Sequence, residues 1–392
     1  MLNIELQNYR RIVIKIGSSI LITANKFHLD WLETFAEDVR QLINNNIEVI
    51  IVTSGAVALG KSNLINASGQ DNAKLSLPQK QASAAIGQIK LMSYYNDIFA
   101  KKNLTVAQIL LTANDCNSRQ SYNNASNTIE TLLKNAIIPI INENDSVAIA
   151  EIKIGDNDRL ASRVSQMAEA NLLILFSDID GLYDKNPRKY KDAKLLRIVE
   201  NIDNTIEEMA DGSDSSVGTG GMKTKIDAAK MANASGCDVI ITDGTVNNSL
   251  SSLFFKNYGD KNFTIFKAKN CKNKIIAKRS KSKKISKTKK NWLSGVINAK
   301  GGVVINDCAH QALITKKNSL LPVGVVAVDG NFDVGEVIFI KDQNNHHIGN
   351  GIANYNSSDL LKVLEKKTAQ VKEILGEDVK VEVVNLEYLI IF

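Results

Sequence analysis

Short continuous apolar runs alternate with stretches of helical period along the first two thirds of the chain. Short apolar, β-branched runs at Arg11 to Ile16, Glu48 to Val52, Thr105 to Leu111, Ile137 to Ile141, Leu172 to Phe176 and Asp238 to Thr242 read as buried strands. Between them lie stretches with a helical period. Leu29, Leu32, Phe35, Ala36, Val39, Leu42 and Ile43 predict an amphipathic helix over Leu29 to Asn44. Pro78 to Lys102 predicts a long helix, with Pro78 suited to the first turn. Further helices are predicted over Tyr122 to Asn135, from Asp158 (read as the N-cap) to Ala170, and from the glycines near 220 to Ala234. Strands alternating with helices imply α/β architecture, a mostly parallel sheet with helices on both faces. Beyond residue 300 the pattern changes. Gly301 to Ile305, His310 to Thr315, Pro322 to Val328 and Val334 to Lys341 are expected as short strands or strand-like turns, and Asp359 to Gly376 as helical.

Polar residues gather where the strands end. Ile137–Ile141 runs into Asn142, Glu143, Asn144 and Asp145, and a second such group, Gly155, Asp156, Asn157 and Asp158, follows a stretch expected as a hairpin, Val147 to Ile154. The first strand ends at Lys15 beside Gly17, Ser18 and Ser19; the second runs into Thr53, Ser54, Gly55 and Ala56, a small-residue stretch reaching Gly60; the fifth closes on Ser177, Asp178, Ile179, Asp180 and Gly181. In open α/β sheets, ligands bind outside the carboxyl ends of the strands. Asn, Asp and Gly are also ordinary turn residues, so each group alone reads equally well as a turn.

Gly218, Thr219, Gly220, Gly221, Met222, Lys223, Thr224 and Lys225 form a glycine turn opening a helix, which can aim bare N–H groups at a phosphate. The stretch is not a Walker A loop, because Met222 stands where that pattern needs a glycine before the lysine, and it does not match the Rossmann fingerprint. A flexible glycine turn is the competing reading. In company with the other strand ends it suggests phosphoryl transfer, which needs cations and backbone donors around phosphates and acids to hold Mg²⁺ or orient lysines.

Composition narrows the class. The chain has 392 residues, 44% hydrophobic and 23% charged, which fits two or three globular domains. The net charge of +6 is unevenly placed: Lys278 to Lys290 alone holds eight basic residues, and Lys267 to Thr288 reads as a linker. Four cysteines at 116, 237, 271 and 308 form no C-x-x-C pair, which argues against a zinc site or a disulfide framework and fits a reducing cytosol. No apolar stretch approaches the roughly 20 residues of a membrane span, and no signal-peptide pattern opens the chain. His346 and His347 sit in an expected turn with no third ligand spaced near them.

IVIKIGSS, VTSGAVALG, INENDSVA, KIGDND, FSDIDGLYDKNPR and GTGGMKTK, in that order, resemble the glutamate 5-kinases (γ-glutamyl kinases) of the amino-acid kinase family over about the first 265 residues. SLLPVGVVAVDGNFDVGEVI resembles a PUA domain. The resemblance implies a three-layer αβα sandwich over residues 1–266, a basic linker over 267–288, and a small mainly-β PUA barrel with a C-terminal extension over 289–392. It implies a cytoplasmic, ATP- and Mg²⁺-dependent enzyme that phosphorylates the γ-carboxylate of L-glutamate, the first step towards proline. Lys15 and Lys225 match the lysines that grip the transferring phosphoryl group, and Asp158 an acid that orients them. Ser54, Gly55, Asp145 and Asn157 match the glutamate site. Lys15, Ser177 and Asp178, with Thr219, Gly220, Gly221, Met222, Lys223, Thr224 and Lys225, match the nucleotide segments; the family usually has Thr at the position of Ser177. No protein ligand to a metal is implied. Expected partners are glutamate, ATP, proline as feedback inhibitor, glutamyl phosphate reductase downstream, and further copies of the chain in a dimer or tetramer. No membrane or RNA partner is implied. The alternatives are a related kinase acting on aspartate, acetylglutamate or uridylate, and a PUA-based RNA-binding protein.

Overall fold

The computed structural model describes residues 4–23, 26–68, 75–147, 157–211, 221–255, 261–269, 292–293, 299–315, 318–376 and 379–391. The expected hairpin over 147–154 (beyond Val147), Gly155, Asp156, Gly218 to Gly220 and the basic run 278–290 lie outside them. The chain divides into two compact units, Met1–Ala277 and Lys278–Phe392.

The first unit is built on one sheet. Its strands are β1 (Arg11–Lys15), β2 (Glu48–Val52), β3 (Thr105–Leu111), β4 (Ile137–Glu143), β5 (Leu172–Ser177), β6 (Ile198–Val199), β7 (Asp238–Asp243) and β8 (Phe263–Phe266). They lie in the order β6-β8-β7-β5-β1-β2-β4-β3. All neighbours are parallel except β7 and β8. Successive side chains point to opposite faces, and both faces are covered, which explains why the central runs are apolar throughout. Ile12, Ile14, Val49, Ile51, Leu172, Ile174 and Phe176 join one core with the helices α1 (Leu29–Asn44) and α3 (Leu77–Ala100). Val13, Ile50, Val52, Leu173, Leu175, Val239 and Ile241 alternate with them and are equally buried on the other face. There Ser126 Oγ of the helix α4 (Arg119–Lys134) donates to Met167 O (2.8 Å) of α5 (Asn157–Met167), and α5 and α6 (Met222–Ala234) pack together, with Ser162 Oγ donating to Ala228 O (2.7 Å) and Gln166 Nε2 to Met231 O (2.8 Å). This is the expected αβα layering.

Three helices of this unit read differently from the sequence. The small residues after β2 form a helix, α2 (Ala56–Ser68), following α1 in chain order and pressed against α3. A Cβ on Gly60 would stand 1.8 Å from Ser83 O, and one on Gly87 1.8 Å from Ala56 O, so both positions need glycine for the close backbone approach. Asp158 is not the N-cap of α5 but lies within its first turn, because α5 starts at Asn157. A short helix, Asn204–Asp211, stands in the segment expected to be irregular, with Ile206 N bonded to Asp203 Oδ1 (3.1 Å) at its start.

The second unit holds a separate five-stranded mixed sheet built from Gly301–Ile305, Val325–Gly330, Val337–Lys341, His347–Ile352 and Leu389–Ile391. His310 to Thr315 is helical, not strand-like: it belongs to a helix over Asp307–Thr315 started by Asn306, whose Oδ1 accepts from Ala309 N (2.8 Å). The helix expected over 359–376 is two, Ser357–Lys362 and Thr368–Leu375. Glu365 between them has φ +57° and donates its N–H to Pro322 O (3.0 Å), a tertiary contact that a continuous helix could not make. His347 begins a strand and packs on the Phe339 ring at 4.5 Å. No described helix is long and apolar enough to cross a membrane.

Candidate active site

The carboxyl ends of β1, β2, β4, β5 and β7 open on one edge of the sheet, as parallel pairing requires. Lys15 is the last residue of β1, Asp158 lies in the first turn of α5, and Lys225 in the first turn of α6. The three side chains meet. Lys15 Nζ stands 2.6 Å from Asp158 Oδ1 and Lys225 Nζ 3.0 Å from Asp158 Oδ2, with side chains 11%, 7% and 2% exposed respectively for Lys15, Lys225 and Asp158. Burial by itself would push the Asp158 carboxyl up; the Lys15 and Lys225 ammoniums outweigh it and hold it at about 2. Two cations on one carboxylate leave a net positive charge at the strand ends, with both ammoniums held in place before any anion arrives. Thr224 Oγ1 donates to Gly221 O (2.9 Å) and lies 3.4 Å from Asp158 Oδ2, tying the start of α6 to the same acid. Gly221 caps α6 in an extended conformation, Met222 is buried and Lys223 faces outward.

A second cluster adjoins the first through the neighbouring residue Asn157. Its Nδ2 faces Ser54 Oγ (2.6 Å), Thr53 O (2.7 Å) and Asn142 Oδ1 (3.1 Å). Ser54 follows β2 and is succeeded by Gly55, whose φ of +110° belongs to the region glycine favours. Asn142 lies at the end of β4 and is in turn bonded to Gln88 of α3 (Nδ2 to Oε1, 2.9 Å). Asp145 stands in the turn after β4, where burial pushes its carboxyl up to about 6. A carboxylate so placed is stabilised by any cation that reaches it.

On the other side of Lys15, Ser177 ends β5 with its Oγ 3.3 Å from Asp178 Oδ1. Asp178 pairs with Arg188 (2.8 Å) in a largely exposed contact; burial opposes this, and the Arg188 guanidinium with the local hydrogen bonds lowers its pKa overall. Thr219 and Gly220 lie outside the described residues. Sequence reasoning did not single out Thr53, Gln88, Asn142 as a site residue, or Arg188. Asn142 carried a signal, since it opens the polar group after β4. Gln88 carried none, being one polar residue among several on a long helix.

Residues 10–243 match the Amino acid kinase family and residues 301–375 match the PUA domain. The glutamate 5-kinase of Pelagibacter ubique (strain HTCC1062) is 42% identical over 360 residues, covering 92% of each chain. That of Brucella anthropi is 40% identical over 388 residues, covering 99% of this chain and 97% of the relative. Among solved structures, a carbamate kinase from Giardia lamblia bound to AMP-PNP superposes with a TM-score of 0.48 at 14% identity, covering 66% of this chain and 98% of that one. The chain belongs to the amino acid kinase family, and within it to the glutamate 5-kinases that carry a C-terminal PUA domain.

Proposed function

We propose that this kinase transfers the γ-phosphoryl group of ATP to the side-chain carboxylate of L-glutamate, giving L-glutamyl 5-phosphate, the first step towards proline. The observation that carries the reading is the Lys15–Asp158–Lys225 arrangement standing one residue from the Asn157–Ser54 cluster. A carboxylate is already a nucleophile at neutral pH, so the reaction needs no general base. It needs relief of repulsion between two anions and in-line placement. Lys15 and Lys225 supply the positive charge, and Asp158 spaces and orients them. Ser54, Gly55, Asp145 and Asn157 hold glutamate, with Asp145 facing the α-ammonium. Ser177 and Asp178 together with residues 219–225 hold the nucleotide. Mg²⁺ accompanies the nucleotide in this reading. Both oxygens of Asp158 already face lysines, so that acid does not fit as a ligand for the ion.

In the same reading residues 1–266 carry catalysis, 267–288 link, and 289–392 form the PUA portion. The enzyme is cytoplasmic and homo-oligomeric. Proline, sharing the α-amino acid end of glutamate, competes with it, and glutamyl phosphate reductase consumes the labile product. The test is trapping of the acyl phosphate. With glutamate, ATP, Mg²⁺ and hydroxylamine, γ-glutamyl hydroxamate accumulates alongside ADP. N-acetylglutamate, aspartate, UMP and carbamate release ADP far more slowly, because a buried charge left unpaired costs more than a lost contact. Absence of hydroxamate, or faster turnover of N-acetylglutamate, overturns the reading.

A further inference from the structure

Three side-chain amides form a chain beneath the acceptor cluster, and two backbone groups set the direction of all three. Thr53 O is an acceptor, so the atom of Asn157 that faces it at 2.7 Å is the donor Nδ2. Glu143 N–H is a donor, so the atom of Asn142 that receives it at 2.9 Å is the acceptor Oδ1. Asn157 Nδ2 also approaches that Oδ1 (3.1 Å), which leaves Asn142 Nδ2 to donate to Gln88 Oε1 (2.9 Å). The result is a one-way series of amide dipoles. Its ends are buried atoms with no hydrogen-bond partner among the described residues: the acceptor Asn157 Oδ1 at one end and the donor Gln88 Nε2 at the other. An unpaired buried polar atom is costly, so such an end is suited to a ligand group that completes it.

Gln88 is held rigidly where this requires it. Its neighbour Gly87 presses on Ala56 O of α2, so the segment carrying Ser54 and the helix carrying Gln88 are in backbone contact. We propose that Gln88 is a positioning residue for the acceptor substrate. By accepting from Asn142 Nδ2, it keeps Asn142 Oδ1 against Asn157 Nδ2 and so holds the Asn157 amide in the orientation that Thr53 O sets, with its carbonyl towards the acceptor site, where it receives an N–H donor of the substrate, the α-ammonium. The site thereby selects an acid bearing a protonated α-amino group over one that lacks it. This rests on the reading of Asn157 as an acceptor-binding residue.

Gln88→Met keeps the side-chain length and removes both polar atoms; Gln88→Glu keeps an oxygen for Asn142 Nδ2. In Gln88→Met the glutamate KM rises about ten-fold, the loss of roughly one well-placed hydrogen bond, while kcat and the ATP KM stay within about two-fold. Glutarate, which has both carboxylates and no amine, is used as a competing ligand. Its inhibition constant changes little, so discrimination between the two collapses. Gln88→Glu restores most of the glutamate affinity. An unchanged glutamate KM in Gln88→Met overturns the proposal. So does an equal loss for glutamate, glutarate and ATP accompanied by a lowered Tm, which is what a purely structural role produces. A wild-type enzyme that forms no hydroxamate from glutamate defeats the underlying reading instead, so the two failures are distinct.

Discussion

Asp158 is fully enclosed yet ionised because each of its oxygens faces an ammonium. Its carboxyl, held at about 2 against an ordinary value of 3.8, contributes stability that is fully present above about pH 4 and is lost as the pH falls towards 2. Thermal unfolding followed from pH 6 to 2 should show this acid-side loss in the wild type and a weaker one in Asp158→Asn. For turnover, Lys15→Ala and Lys225→Ala should each lower kcat by about 10²–10³, the usual effect of removing one charge-stabilising group, with circular dichroism unchanged. Near-full turnover in either variant would displace that lysine from the reacting phosphate. Asp145 behaves in the opposite sense. Burial raises its carboxyl to about 6, so below that pH it is neutral and cannot pair with an α-ammonium. The glutamate KM should therefore fall as the pH rises from 5 to 7, with the ATP KM nearly constant. In Asp145→Asn the glutamate KM should be high and flat over that range; a profile that persists in the variant would assign the titration elsewhere.

Among the elements, α2 and α3 are the pair whose fit the site depends on most directly. Their backbones meet at Gly60 and Gly87, where an added methyl would collide with a carbonyl oxygen at 1.8 Å. Gly87→Ala should cost at least the about 1–3 kcal/mol typical of overpacking, read as a lower denaturation midpoint. The glutamate KM should rise with it, because α2 continues directly from Ser54 and Gly55 and α3 carries Gln88. Loss of stability with an unaltered KM would show that the acceptor cluster is held by β2 and β4 alone.

At the scale of the whole molecule, the described side chains of the proposed site all come from the first unit, Met1–Ala277. β8 is the last strand of that unit's sheet in chain order, and just beyond it Lys267 Nζ and Ala268 N both bond to Asp238 (3.0 and 2.9 Å). A chain ending after Ala277 keeps these contacts and should fold, bind ATP and form hydroxamate from glutamate. Complete inactivity in a soluble, folded chain of that length would assign part of the site to the PUA portion. Much of this organisation follows from sequence alone. The short, continuous apolar runs separated by helical periods determined an α/β sheet with covered faces, and the polar groups at the run ends marked the edge where ligands bind. The PUA stretch was legible as a separate module, but the strand-like HQALIT was decided by the cap at Asn306, and the break at Glu365 by a contact with Pro322, neither visible in local pattern. Lys15, Asp158 and Lys225 were each legible as residues near a strand or helix end. That two lysines 210 positions apart share one carboxylate was settled only by parallel pairing, which brings β1, α5 and α6 to a single edge. Gln88 lies further beyond the reach of sequence. Its role depends on a helix–helix approach permitted by two glycines and on the direction of an amide chain set by Thr53 O and Glu143 N–H. Such directions are properties of packed backbone, and no local periodicity encodes them.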